Sequence, residues 1–344
     1  MNNAPPPNSA ANNTTRKAKT AVFVGDTVFD TTLRVGSLPA ADEKVVSDYL
    51  TDSVGGVVTN AAVACSLTGT PTALVSSVGT DMAGRESAEQ ARGLGVDFRP
   101  EVSQGPSSRA VITIAEDGEK HLILVPGVRM YPSESVCREL SLADAGWLHT
   151  AVYDPVAARA VIARCAESGV PWSIDLEPAT FPDGIETLAD HIDGAATVFC
   201  NTHAARAIGP DAITVLFGLG ARSVVFTDGS HGARWCTPGA AEVTVPVAPG
   251  AAPVVDTTGA GDCLAGSFVG MMLDSGDPLD ALRYAVAAAS HSCSGLGGHL
   301  SYATRAELTE LRRPTGTPPP SPTPSTAQPQ AGPASPGGSY DAAE

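Results

Sequence analysis

The chain has 344 residues, 43% of them hydrophobic, enough for one large α/β domain or two smaller ones around a substantial core. A formal charge of −16 argues against nucleic acid as a partner, because phosphate backbones are held by basic surface, but it leaves room for a small anionic ligand at a local site. Seven scattered cysteines form no Cys-x-x-Cys pair, no apolar run reaches membrane-spanning length and the N-terminus is polar, so the expectation is a reduced, cytoplasmic protein without a membrane association.

Residues 1–19, rich in Asn, Pro, Ala and Thr, and 314–344, dominated by Pro, Ser, Thr, Gly and Ala, cannot bury enough apolar surface to offset chain ordering and are expected to be disordered. Between them, 20–25 reads as an apolar strand ending in glycine, and 32–35 and 45–52 as strands with polar alternation. Gly55-Gly56-Val57-Val58-Thr59-Asn60 then opens an alanine-rich helix to Leu67; paired glycines let a ligand approach the backbone, and Asn60 offers both a donor and an acceptor. A strand over 72–78 and a helix from Gly84 to Leu94 follow. Arg109 to Ile114 and His121 to Val125 flank Glu116-Asp117-Gly118-Glu119, a hairpin signal. From Trp147 onward, strands at 147–150, 172–175, 196–200 and 223–227 alternate with helices at 155–167, around 185–189 and at 212–219. That alternation implies right-handed βαβ units and a parallel sheet, with ligands at the carboxyl ends of the strands, where Asp175, Asn201 and Thr227 fall.

The stretch Asp256-Thr257-Thr258-Gly259-Ala260-Gly261-Asp262 lies between a valine-rich run (Val243 to Val255) and a long apolar one (Cys263 to Leu273), which reads as strand, tight turn and helix. The first N–H groups of that helix sit at the positive end of its dipole and favour an anion, phosphate above all. Asp262 is out of place beside a phosphate: either it caps the helix, or it takes a proton from a hydroxyl attacking that phosphate. A second alanine-rich helix, 279–294, ends at Gly295-Leu296-Gly297-Gly298, and 305–312 closes the folded part at about residue 313.

This string closely resembles the C-terminal signature of the ribokinase-like family of sugar kinases, the phosphofructokinase-B group, and Gly55 to Asn60 resembles the N-terminal one. The resemblance spans nearly the whole folded chain. It implies a three-layer α/β/α domain over 20–313 with a mostly parallel sheet, and a small β-lid at about 31–53 and 107–126. It implies ATP-dependent phosphorylation of a sugar hydroxyl, with Asp262 as general base and Gly259, Ala260 and Gly261 as the hole for the transferring phosphoryl group. Asp30, Gly55, Gly56 and Asn60 match sugar-binding positions; Asn201, Thr227, Gly229 and Gly232 match the ATP site, with Mg²⁺ offsetting phosphate charge. Asp256, Thr258, Gly297 and Ser301 match a site for a monovalent cation such as K⁺. Arg109 stands near where members acting on phosphorylated sugars carry an arginine. Val58 replaces a small residue, Val128-Arg129 follow Gly127 where many members have Ala-Asn, and Ala204 replaces the glutamate of an Asn-x-x-Glu motif. A phosphorylated sugar, a nucleoside, or a non-catalytic regulator built on the same fold are the alternatives. A lid exposes strand edges, so a homodimer through the lids is expected.

Overall fold

In the computed structural model, which describes residues 19–115, 120–248 and 252–311, the first strand already dictates the layers. β1 (Thr20–Val24) is an unbroken apolar run, so both its faces must be covered: Ala21 and Phe23 enter one core, Val22 and Val24 a second. The chain then leaves the main sheet through β2 (Val28–Val35) and β3 (Ser47–Gly55) and returns along α1 (Val57–Leu67), β4 (Thr72–Gly79), α2 (Met82–Gly93) and β5 (Asp97–Ser103). β6 (Arg109–Ala115) and β7 (Lys120–Val125) rejoin the outlying strands. Next come α3 (Glu134–Glu139), β8 (Ala145–Ala151), α4 (Pro155–Ser168), β9 (Trp172–Leu176), α5 (Ala189–Ile192), β10 (Thr197–Asn201), α6 (Thr202–Ile208) and α7 (Ala212–Gly218). β11 (Val224–Thr227), β12 (Ala233–Cys236), β13 (Val243–Val245), α8 (Ala260–Ser275), α9 (Pro278–Ser292) and α10 (Arg305–Leu311) complete the fold.

The large sheet runs β5-β4-β1-β8-β9-β10-β11-β12-β13, parallel as far as β11 and antiparallel at β12 and β13. Helices α1, α2, α8 and α9 cover one face and α3 to α7 the other, giving the expected three layers. The chain continues from β1 to β4 and β5 on one side, while β8 to β11 are laid down on the other. A crevice therefore opens beyond the carboxyl ends of β1 and β8. Over it stands the lid, ordered β3-β2-β6-β7, with β2 and β6 parallel and both outer pairs antiparallel. Its strands begin closer to the body than the expected 31–53 and 107–126, since β2 starts at Val28 and β3 ends at Gly55.

Two helices fix the crevice wall. A Cβ on Gly266 of α8 would lie 1.9 Å from the carbonyl oxygen of Ala61, so α1 and α8 touch backbone to backbone only because that residue is glycine. Among the described residues, the valine-rich run expected as one strand over 243–255 is a strand only at Val243–Val245, and residues 249–251 lie outside the description. Pro246 and Pro253 cannot donate to a ladder, and the N–H groups of Val255 and Asp256 bond the carbonyl of Cys293 instead. The short helix α3 and the strands β5 and β12 were not anticipated. The tails and the hairpin turn Glu116–Glu119 lie outside the described residues. Among the described residues no helix is long and apolar enough to cross a membrane.

Candidate active site

The crevice is built from groups just past strand ends. Asp26 follows β1, and its buried carboxylate accepts the N–H groups of Val57 and Val58, both at 2.9 Å. Those donors have no partner within α1, so the carboxylate and the helix start stabilise each other. The glycines before them are required by space: a Cβ on Gly56, at φ 106, would sit 2.8 Å from Asp26 Oδ2, and one on Gly55 2.0 Å from Asp30 Oδ2. Asp26 escaped the sequence reading, although a carboxylate directly after the glycine that ends a parallel strand was the available signal.

Asn60 lies in the first turn of α1, 5% exposed. Its Nδ2 donates to Asp262 Oδ2 at 2.9 Å, and its Oδ1 is buried with no partner. Asp262 is not a helix cap: the cap position of α8 is Gly259, in the left-handed region at φ 74, with no side-chain cap bond. The N–H of Ala260 closes onto Thr257 O at 3.2 Å, and that of Cys263 makes the first helical bond, to Gly259 O. The N–H groups of Gly261 and Asp262 fall between them, where α8 supplies no preceding carbonyl. A Cβ on Gly261 would meet nothing within 4 Å, so the turn faces open space. Tyr302 locks the turn from behind, its hydroxyl donating to Gly259 O at 2.5 Å.

Five carboxylates share this crevice, and their charges are felt mutually. Burial pushes Asp262 well above the ordinary carboxylate range; the Asn60 bond opposes that, and the charges of Glu177, Asp26 and Asp30 add to it. Asp175 is likewise pushed well up, by burial and then by Glu177 and Asp262. Burial raises Asp30 to about 7, helped by Asp26, and raises Asp26 to about 6 against its two N–H donors. Glu177 is raised by burial and then by Asp26. Such a site holds a proton readily or invites a cation. Glu177 was missed in the sequence, although it stands two residues beyond Asp175 at the same strand end.

On the other side of the turn is a cavity of about 440 Å³. Thr227, Gly229 and Gly232 line it together with Ala260 and Gly261, and Val254, Leu264 and Val286 make its wall apolar. An apolar slot ending at a helix N-terminus fits a flat base with a polyphosphate tail. Asn201, level with Thr227 on the neighbouring strand, is not among the lining residues; its Oδ1 caps α6 by accepting the N–H of Ala204 at 2.8 Å.

Asp256, Thr258 and Gly297 are brought together. Asp256 Oδ1 accepts the N–H and hydroxyl of Thr258 at 2.9 and 2.7 Å, and Oδ2 accepts the N–H of Gly297 at 3.0 Å. Ser301 instead donates to Ser292 O at 2.6 Å. Among the described residues no group of three or more His, Cys, Asp or Glu could by itself hold a metal ion. Arg109 is not brought to Asp30. It pairs with Phe29 across β2 and β6, whereas Asp30 pairs with Ala110, so the two side chains leave opposite faces of the lid. Its guanidinium lies 5.4 Å from the Phe29 ring centroid and 3.5 Å from Asp81 Oδ2. A contact that sequence did not suggest is Lys120 Nζ, which donates from β7 to Thr258 Oγ1 at 2.8 Å.

The chain is similar to known proteins in sequence and in fold. The family model for "pfkB family carbohydrate kinase" matches residues 18–305. The chain is 28% identical over 295 residues to a ribokinase of Bacillus subtilis, covering 84% of this chain and 97% of that one. It is 29% identical over 265 residues to an ATP-dependent ribose-1-phosphate kinase of Halopiger xanaduensis, covering 76% and 87%. Its fold matches an Arabidopsis thaliana ribokinase structure, complexed with ribose and ATP, with a TM-score of 0.73 at 24% identity, over 86% of this chain and 98% of that one. A Gly-Ala-Gly-Asp helix start facing a lidded crevice, and a family match across almost all the described residues, place the chain in the pfkB family of carbohydrate kinases, phosphotransferases that use ATP.

Proposed function

We propose that the protein transfers the terminal phosphoryl group of ATP to a hydroxyl of a free sugar held under the lid. The observation that carries this reading is the Asn60–Asp262 pair in front of the glycine turn, with Asn60 Oδ1 buried and unpartnered. Leaving such an acceptor unpaired costs about 1–3 kcal/mol, and a sugar hydroxyl would satisfy it. Asp30, on the crevice side of the lid, accepts from a second hydroxyl, and the backbone at Gly55 and Gly56 lets the ring approach. Asp262 takes the proton of the attacking hydroxyl; its raised affinity for a proton suits a base working near neutral pH. The turn at Gly259, Ala260 and Gly261, through the N–H groups of Gly261 and Asp262 that the helix leaves open, and the dipole of α8 stabilise the transferring group, so catalysis is positioning and electrostatics. Mg²⁺ needs only one or two carboxylates besides phosphate oxygens, and Asp175 and Glu177 would supply them or hold its water. A K⁺ ion held near Asp256, Thr258 and Gly297 would have to displace the N–H and hydroxyl donors already on the Asp256 carboxylate.

A free sugar is favoured over a phosphorylated one because Arg109 is turned away from Asp30 and engaged by Asp81. Two copies would join through the lids: Leu50 and Ile123, 64% and 62% exposed, lie on the lid face away from Asp30, and β3 and β7 are open edges. All seven cysteines are free thiols, which suits a reducing cytoplasm. The test is ADP production across free sugars, sugar phosphates and nucleosides, with Asp262→Asn as control. That variant should lose about two to four orders of magnitude in turnover while keeping nucleotide affinity. Near wild-type turnover would remove Asp262 as the base.

A further inference from the structure

We infer that Lys120 is a positioning residue for the terminal phosphate of ATP, delivered from the lid to the glycine turn. Pairing across the lid puts Asp30, Ala110 and Leu124 in one row, Thr32, Ile112 and Leu122 in the next, and Arg34, Ile114 and Lys120 in a third. Lys120 therefore shares a face with Asp30, about 13 Å further along the strands at ~3.3 Å per residue. One face of the lid thus carries the sugar contact at one end and a cation at the other. The lysine crosses to the body, where its ammonium meets Thr258 Oγ1, the residue immediately before Gly259.

The contact is provisional by its chemistry. Thr258 Oγ1 already donates to Asp256 Oδ1, so it can only accept from Lys120, as a neutral hydroxyl. An ammonium bonds an ionised phosphate oxygen more strongly than a neutral hydroxyl, because the charge on the acceptor adds to that on the donor. Lys120 is exposed on its flexible stem and free to turn from one to the other. Nearby arginines are engaged elsewhere, Arg109 by Asp81 and Arg129 by Asp154, whereas the crevice is crowded with carboxylates. A triphosphate lying along the 440 Å³ cavity, which Thr257, Ala260 and Gly261 line at the turn, ends one residue along the chain from Thr258, the residue that Lys120 touches. Lys120 then ties the lid to ATP and has no equivalent partner on ADP.

This rests on the reading that the glycine turn holds the phosphates of ATP, and the experiment separates the two. Binding of Mg²⁺-ATP and Mg²⁺-ADP, without sugar, is measured by titration calorimetry on the full chain, its Lys120→Gln variant and its Lys120→Arg variant. Lys120→Gln should lose roughly ten- to hundredfold in ATP affinity, the range for a charge-assisted hydrogen bond, with ADP affinity unchanged and Lys120→Arg restoring most of the loss. The sugar KM should hardly move while kcat falls. If the unsubstituted protein binds neither nucleotide, the reading of the turn fails. If it binds both and Lys120→Gln keeps wild-type affinities, the kinase reading stands and the role of Lys120 is overturned. Equal losses for ATP and ADP would also overturn it, leaving a lysine that only holds the lid in place.

Discussion

Asn60 offers the sharpest test of the catalytic geometry, because it touches the base without being one. Its Nδ2 donates to Asp262 Oδ2 at 2.9 Å, and this bond is the contact that holds the Asp262 carboxyl down against the burial pushing it up. Asn60→Ala removes the donor and keeps a good helix former in α1. A hydrogen bond to a charged group contributes about 1.5–3 kcal/mol. Without it nothing opposes the burial and the neighbouring carboxylates that push the Asp262 carboxyl up, so its affinity for a proton rises further. The sign follows directly: the bond favours the charged form, so without it Asp262 stays protonated to higher pH. Because the base must be ionised, the acid limb of kcat/KM should move to higher pH. The measurement is ADP release at sub-saturating sugar across the acid and neutral range, for wild type and variant. Loss of the Asn60 contact to the sugar would lower the whole curve in parallel without moving its midpoint, so the two effects separate. An unchanged midpoint would show that Asp262 is not the group titrating in that limb.

Gly259→Ala forces an alanine to φ 74 and sets its Cβ 2.7 Å from the Tyr302 hydroxyl. Backbone strain of about 1–3 kcal/mol should lower the melting temperature by several degrees, with reduced kcat; an unchanged melting curve would refute the geometry of the turn. Arg109→Ala should change stability by under about 1 kcal/mol and leave the sugar KM alone, since its ion pair is partly exposed and long. A large, salt-sensitive rise in KM would instead make Arg109 the anchor of a phosphorylated substrate. Leu50→Asp and Ile123→Asp should each convert a dimer to a monomer in light scattering; a wild-type protein that is already monomeric at micromolar concentration would reject the lid interface.

Sequence by itself determined the parallel sheet and the glycine turn that opens α8. Apolar runs such as Phe199 and its neighbours, alternating with helices, need cover on both faces, and one handed connection satisfies that. Gly259 marks the helix start because only glycine takes that backbone angle at little cost. Valine content alone overextended the strand at Val243–Val245, since Pro246 and Pro253 cannot donate and Val255 and Asp256 bond the Cys293 carbonyl instead. What only the tertiary structure decided are the pairings across the chain. Asn60 meets Asp262 from 202 residues away because Gly266 lets α8 lie against α1. Arg109 leaves the crevice because its register with Phe29, not its own strand, sets which face it takes. Lys120 reaches Thr258 from 138 residues away only because the lid folds over the turn. Local sequence sets backbone angles and the alternation of faces; which face meets which partner is decided by burying the two cores together, and that information is spread over the whole chain.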